Sequence, residues 1–344
     1  MPYPKIELHA EELEGLILEQ GFSKAAFVRS ADLPQSVAGH GEIAALGPGT
    51  FLLAALSCFR EEAEDLSEPG DPHTLIAPFA RRNYYAEAVA RMKRVVRSLR
   101  TTHGFSKQAM RIFCNSPLPE KALAVSSGLG SYGKNSLILI PGMGSLFVIA
   151  GLFIPTDVVG MKDSHAVTDQ SAATVARFLL CGSCRACQNA CPVNALEEAG
   201  RLDESRCLQA LCTEPRPFSE SHRRAWAFRL YGCQSCQDVC PLNRNLEVQT
   251  ATRRGELGPS RSIRQLLSLS AQQFREVLRG SALARSWIPP RTLLRNALLA
   301  AGNRRDPVLL QAVSRHRSSP DPLVARAAAW ALSRIGESAG GERA

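Results

Sequence analysis

Apolar positions recur three and four apart across residues 9–21 and stop at Gly21, which predicts a helix. Lys24–Arg29 encloses Ala-Ala-Phe-Val and reads as a short strand. Residues 50–59 are apolar almost without a break, the pattern of a strand buried on both faces. Over 84–103 the residues Val89, Met92, Val95, Val96 and Leu99 share one face of a long amphipathic helix. Met110–Cys114 is another strand. Residues 136–155 carry no charge and are nominally long enough to cross a bilayer, but Pro141-Gly142-Met143-Gly144 interrupts them. Two apolar runs about such a turn predict a buried hairpin. Strands alternating with helices predict an α/β layer domain over residues 1–170.

The pattern turns wholly helical after 263. Ser270 is a plausible N-cap for 271–279, and further helices are expected over 292–301, 308–315 and 324–332. Asp-Pro before a helix and Arg-x-Ala-Ala-x-Ala-Leu within one resemble a HEAT-like repeat. One or two such units would have to cap another domain. The expected division is an α/β domain over 1–170, a cysteine segment over 171–245, and a linker (246–262) with a HEAT-like helical domain to 344.

The candidate chemistry lies in the middle part. Cys181, Cys184, Cys187 and Cys191, followed by Pro192, form the run C-x2-C-x2-C-x3-C-P. Cys233, Cys236 and Cys240, followed by Pro241, repeat it with one cysteine fewer, and Cys207 upstream can supply the missing ligand. In two-cluster ferredoxin-like segments the cysteine before the proline ligates the other cluster. That assigns Cys181, Cys184, Cys187 and Cys240 to one 4Fe–4S cluster, and Cys191, Cys207, Cys233 and Cys236 to a second. Zinc is the competing metal, but it has no use for three cysteines at two-residue intervals followed by Cys-Pro. Disulfides suit this spacing less well. Cys212 is left over and is expected to be a small buried residue, as is Cys58; Cys114, at a strand end, is expected in the core or facing a pocket.

Of 344 residues, 41 are Lys or Arg and 32 Asp or Glu, a net charge of +9. The excess is local. Residues 1–200 balance to −2, whereas 201–344 reach +11 with arginine as their only cation. Such asymmetry suits a polyanion, nucleic acid first, or a plain solvated surface. Arg295, Arg304, Arg305, Arg315 and Arg317 gather around the expected repeat. The N-terminus shows neither an apolar signal core nor twin arginines, so a cytoplasmic protein away from the membrane is expected. The turn Ser127–Asn135, with glycines at 128, 130 and 133 and Lys134, suits close approach to an anionic ligand but matches no phosphate-loop pattern. Trp226, Trp287 and Trp330 are expected as core anchors, and His222 and His316 at the surface.

Cys181-Gly-Ser-Cys184, Ala190-Cys-Pro192, Leu202-Asp203, Arg206-Cys207, Leu230-Tyr-Gly-Cys233 and Cys240-Pro241 together resemble the epoxyqueuosine reductase family, as do Glu120-Lys-Ala-Leu-Ala124 and Gly128-Leu-Gly130 with Gly133-Lys134. The resemblance runs nearly end to end. It implies a cobalamin-dependent oxidoreductase of queuosine biosynthesis and tRNA processing. Two 4Fe–4S clusters would pass electrons to cobalt, and the C-terminal helices would hold the tRNA anticodon region. It also implies a reduced flavodoxin or ferredoxin-type electron donor and a monomer. The positions it carries over to cobalamin are Asn115, Lys121, Gly133, Lys134, Asn135, Gln209, Cys233 and Gln234, with Tyr231 alongside.

Two departures stand out. The family's Asp-Ser-x-Pro, whose aspartate is thought to protonate the substrate, is replaced by Cys114-Asn115-Ser116-Pro117, one residue shorter. An amide is no general acid. The family's Ala-Arg-Gly-x-Asp-Tyr-His is replaced by Ala80-Arg81-Arg82-Asn83-Tyr84-Tyr85. These changes suggest a paralogue with another substrate, or a neighbour such as Glu120 or Tyr132 supplying the proton. An iron–sulfur electron-transfer protein, a corrinoid-activating protein, or an idle tRNA-binding relative remains open.

Overall fold

The computed structural model describes residues 7–58, 64–161, 178–246 and 257–341. The principal elements, in chain order, begin with α1 (Ala10–Glu19), β1 (Lys24–Arg29), β2 (Thr50–Ser57) and β3 (His73–Ile76). There follow α2 (Tyr84–His103), β4 (Arg111–Phe113), α3 (Glu120–Ser126), β5 (Ser131–Tyr132), β6 (Ile138–Leu139) and β7 (Phe147–Ile154). The second half contributes β8 (Arg229–Tyr231), β9 (Ser260–Ser262), α4 (Pro290–Arg304) and α5 (Pro322–Gly341), with short helical turns between them.

A four-stranded sheet of order β1-β2-β7-β4 organises the first half. Its strands are antiparallel throughout, and helices α1 and α2 pack on one face in the helix-on-sheet layering the sequence reading expects. The unbroken apolar run of β2 follows from coverage on both faces. Leu52 and Ala54 pack with Leu13 and Ile17 of α1 and Met92 and Val95 of α2. Phe51 and Leu53 pack oppositely with Phe113, Leu123 and Phe153. Truncating a side chain as enclosed as Met92 costs about 2–5 kcal/mol.

The expected hairpin over 136–155 is not formed. β6 pairs with β5 of the glycine turn, whereas β7 joins the main sheet between β2 and β4. A single bridge, Ile140 to Gly144, spans the intervening turn. Gly144 has φ +57, and a Cβ there would strike the Asn243 carboxamide. Eight-residue β2 offers β7 a full-length partner, which outcompetes the two-residue β6.

Asn83 caps α2 by accepting from the Ala86 N–H at 3.0 Å, and Gly104 ends it at φ +71. The asparagine in place of the family's aspartate is therefore spent on a helix end.

A second sheet, order β8-β3-β9, joins distant parts of the chain. Ser260–Ser262, expected in a linker, is its edge strand, pairing antiparallel with β3. Residues 247–256 of that linker, and the expected boundary at 170, lie outside the described residues. One continuous core takes in Ile76, Leu208, Leu211, Trp226 and Leu230 together with Leu293, Ala297 and Leu298 of α4 and Ile335 of α5. Helices α4 and α5 pack against each other and against the cysteine segment as one body. No helix among the described residues is long and apolar enough to cross a membrane.

Candidate iron–sulfur and cofactor site

Each cysteine block bends around a short helix, Ala186–Asn189 in the first and Ser235–Asp238 in the second, and these two helices pack together. The packing draws the blocks into one locus. Cys191, Cys207, Cys233 and Cys236, the set predicted for one cluster, all line a single slot of about 280 Å³. Cys187 lies close enough to Cys181 and Cys184 to feel their charge, and Cys236 feels both Cys187 and Cys191. The two sets are thus neighbours.

The electrostatics suit a cation-rich centre. Burial first, then its cysteine neighbours Cys233, Cys207, Cys187 and Cys191, push the Cys236 thiol up to about 12. Burial likewise raises Cys207 and Cys187. Grouped thiolates need positive charge to offset that cost. The Ala195 N–H donates to the Cys191 sulfur at 3.2 Å, a bond that favours the thiolate. Among the described residues no three ligating side chains converge on a point that would hold one metal ion. A tetrahedral zinc would draw its sulfurs to within about 4 Å of one another; a cube accepts thiolates set wider apart. Cys212 stands outside, fully buried, its sulfur donating to the Gln209 carbonyl.

The slot has apolar walls. Cys58, Tyr85, Leu137, Leu146, Phe147, Val148, Leu196, Leu202 and Leu208 line it. The carboxamides of Asn135, Gln209 and Gln237 border it. Such a lining fits a large flat ring with amide groups at its rim. A second cavity of about 310 Å³ lies beyond Tyr85, lined by Val89, Lys93, Cys114, Asn115, Arg285 and Trp287. Tyr85 lines both cavities. Trp287, expected in the core, is 47% exposed, with the Arg285 guanidinium 4.4 Å above its ring.

The residues that the resemblance carries over to cobalamin are placed unevenly. Asn135, Gln209 and Cys233 line the slot, and the side-chain Oε1 of Gln209 accepts from the Cys233 N–H at 3.0 Å. Asn115 lines the outer cavity, in the left-handed conformation at φ 52. Lys121, Gly133, Lys134 and Gln234 line neither cavity. Lys121 donates to the Ser136 carbonyl, and Gln234 to Asp238. Lys134, expected to meet an anion, donates instead to the Gly182 and Cys184 carbonyls. The close approach at Gly130 and Gly133 is to the chain's own 138–140 segment: a Cβ at Gly130 would lie 2.6 Å from the Leu139 carbonyl.

Glu120 organises the segment around Asn115. Its carboxylate accepts from the Asn115 N–H (3.0 Å), the Ser116 N–H (2.7 Å) and the Ser116 hydroxyl (2.8 Å). Burial raises its pKa and these bonds oppose the rise. The sequence reading quotes Tyr85 only within the 80–85 stretch and assigns it no role. Its place at the end of that stretch, two residues after Asn83, was the available signal.

Of the arginines grouped by sequence, Arg295 is 1% exposed and satisfies backbone carbonyls, which removes it from any surface. Arg304 bonds the His73 carbonyl and Asp65. Arg305, Arg315 and Arg317 are exposed. His222 and His316 are half-buried, each against a backbone carbonyl.

Two cysteine loops folded into one locus beside an apolar slot define a protein of the double iron–sulfur class, and residues 180–243 match the family model described as a 4Fe-4S double cluster binding domain. The chain is similar in sequence to epoxyqueuosine reductases. It is 29% identical to that of Bacillus subtilis (strain 168) over 228 residues, 64% of this chain and 54% of that protein. It is 32% identical to that of Pseudomonas aeruginosa over 237 residues, 66% of this chain and 60% of that one. The chain thus matches little more than half the length of these relatives. A crystal structure of epoxyqueuosine reductase with a tRNA-Tyr epoxyqueuosine-modified stem loop superposes with a TM-score of 0.77 at 23% identity, covering 96% of this chain and 91% of that one. At that identity the likeness is one of fold.

Proposed function

We propose that the chain is a reductase of the epoxyqueuosine reductase type, acting on an epoxide-bearing nucleoside in tRNA. The observation that carries the reading is the shared wall: Cys191, Cys207, Cys233 and Cys236 border the same slot as Tyr85 and the 135–148 segment. We assign Cys181, Cys184, Cys187 and Cys240 to one 4Fe–4S cluster and the slot-lining four to the other. Cobalamin is assigned to the slot, with Asn135, Gln209 and the Leu137–Val148 wall as its protein contacts. When bound, these groups supply low-potential electrons.

The chain's own residues bind, orient and exclude water. The apolar walls keep the slot dry, and Lys134 and Gln209 hold the two cysteine loops against it. Glu120 fixes the backbone at Asn115 and Ser116, where the substrate would enter. Exposed Arg305, Arg315 and Arg317 offer phosphate contacts on the helical part, which we read as HEAT-like. A flavodoxin or ferredoxin-type donor, a monomeric state and a cytoplasmic location complete the assignment.

Anaerobic reconstitution with iron, sulfide and cobalamin, followed by metal analysis, tests the cofactors. About eight iron atoms per chain are expected for two cubes; about four would remove one cluster. Queuosine and epoxyqueuosine are then measured in tRNA from a strain that depends on this gene. Persistence of the epoxide would favour the second reading, a corrinoid-activating or electron-transfer protein, which the absence of an acid at Asn115 supports.

A further inference from the structure

A deoxygenating reductase needs a proton at the departing oxygen, and position 115 has none to give. The residues around the two cavities narrow the choice. The Cys114 thiol donates to the Ile149 carbonyl at 3.1 Å and lines the outer cavity alone. Cys58 lines the inner slot alone, and Lys93 the outer cavity alone. The Glu120 carboxylate is occupied by three donors, all of which favour its ionised form. Tyr85 differs from all of these. It faces both cavities, is half-buried, and its phenol makes no hydrogen bond to a described residue.

We propose that Tyr85 is the proton donor of this reductase, its phenol passing a proton to the oxygen that leaves the substrate's epoxide carbon. The inference rests on the proposed function and names the residue that takes over the aspartate's task. Converting an epoxide to an alkene consumes two electrons and two protons. Both C–O bonds break, a C=C bond forms, and oxygen leaves as water. The iron–sulfur and corrin groups assigned above would supply the two electrons when bound. Tyr85 gives its proton as the first C–O bond opens; solvent supplies the second and restores the phenol through the outer cavity. Burial, then the nearby Cys114, Cys58 and Glu120, push the phenol up to about 12. It therefore stays protonated at neutral pH, yet remains a stronger acid than the alcohol formed when the opening C–O bond takes up its proton.

The test uses the full chain and a tRNA stem loop carrying epoxyqueuosine. In the cofactor-free protein labelled with ¹³Cζ-tyrosine, the Tyr85 resonance, assigned by its loss in Tyr85→Phe, is expected to shift with the epoxyqueuosine stem loop. It is expected to stay in place with the queuosine one. In the loaded enzyme, Tyr85→Phe should lower kcat by about a hundredfold or more with KM little changed. A fluorinated, more acidic tyrosine at 85 should bring the alkaline loss of rate to lower pH, which a merely packing ring would not do. Turnover by Tyr85→Phe within about threefold of the parent, or an unmoved resonance, overturns the role of Tyr85 and leaves the proposed function standing. A parent enzyme that leaves the epoxide untouched overturns both.

Discussion

Lys134 is tied to Cys184: its ammonium donates to the Cys184 carbonyl at 2.9 Å and to that of neighbouring Gly182 at 2.7 Å. The Gly200 N–H returns a bond to the Lys134 carbonyl at 2.8 Å. The glycine turn of the first domain thus grips the first cysteine loop on two sides, and a residue with the look of an anion ligand is a strut.

Lys134→Met should remove both charge-assisted bonds and destabilise that loop by about 1–3 kcal/mol. Iron retained after gel filtration of the reconstituted protein should fall, with the far-ultraviolet circular dichroism unchanged. Full iron retention would show that the strut is dispensable.

Arg295 donates to the carbonyls of Leu211, Cys212, Glu214 and Arg216 from a fully enclosed position on α4. Arg295→Leu strands several buried acceptors and should cost about 3–5 kcal/mol in denaturant unfolding. Because the helical part and the cysteine segment share one core, both should unfold in one transition.

Burial, then the charge of Glu120, push the Cys114 thiol up to about 12. Raising a thiol's pKa keeps it protonated to higher pH, so the thiolate that alkylates is scarce at neutrality. The iodoacetamide reaction at Cys114, followed by peptide mapping, should keep accelerating well past pH 9, where an ordinary cysteine of pKa about 8.5 has levelled off.

Asn115→Asp places a carboxyl on the outer cavity beside Tyr85. In the Tyr85→Phe background it should raise epoxide reduction by about tenfold or more, the low end of general acid catalysis. An unchanged rate would place position 115 out of reach of the substrate oxygen.

Much of this was written in local pattern. Period and composition marked α2 to its ends and β1 to its residues, because a helix with one apolar face and a short apolar strand are decided by near neighbours. The cysteine spacing pointed to clusters for the same reason, the ligands of one loop being close in sequence. Pairing partners were not legible. The apolar runs of 138–140 and 147–154 looked like mates, yet β7 found β2, some ninety residues earlier, since only the assembled sheet offers a strand of its length.

The role of individual polar residues was decided still later. Sequence alone established that eight cysteines at metal-binding spacing follow an α/β segment and precede a basic helical one. Folding determined that Lys134 braces a loop, that Arg295 is buried, and that Tyr85 faces two cavities. Spacing along a chain fixes which groups can share a local turn; which of them meet across a cavity depends on side-chain packing between segments that are remote in sequence.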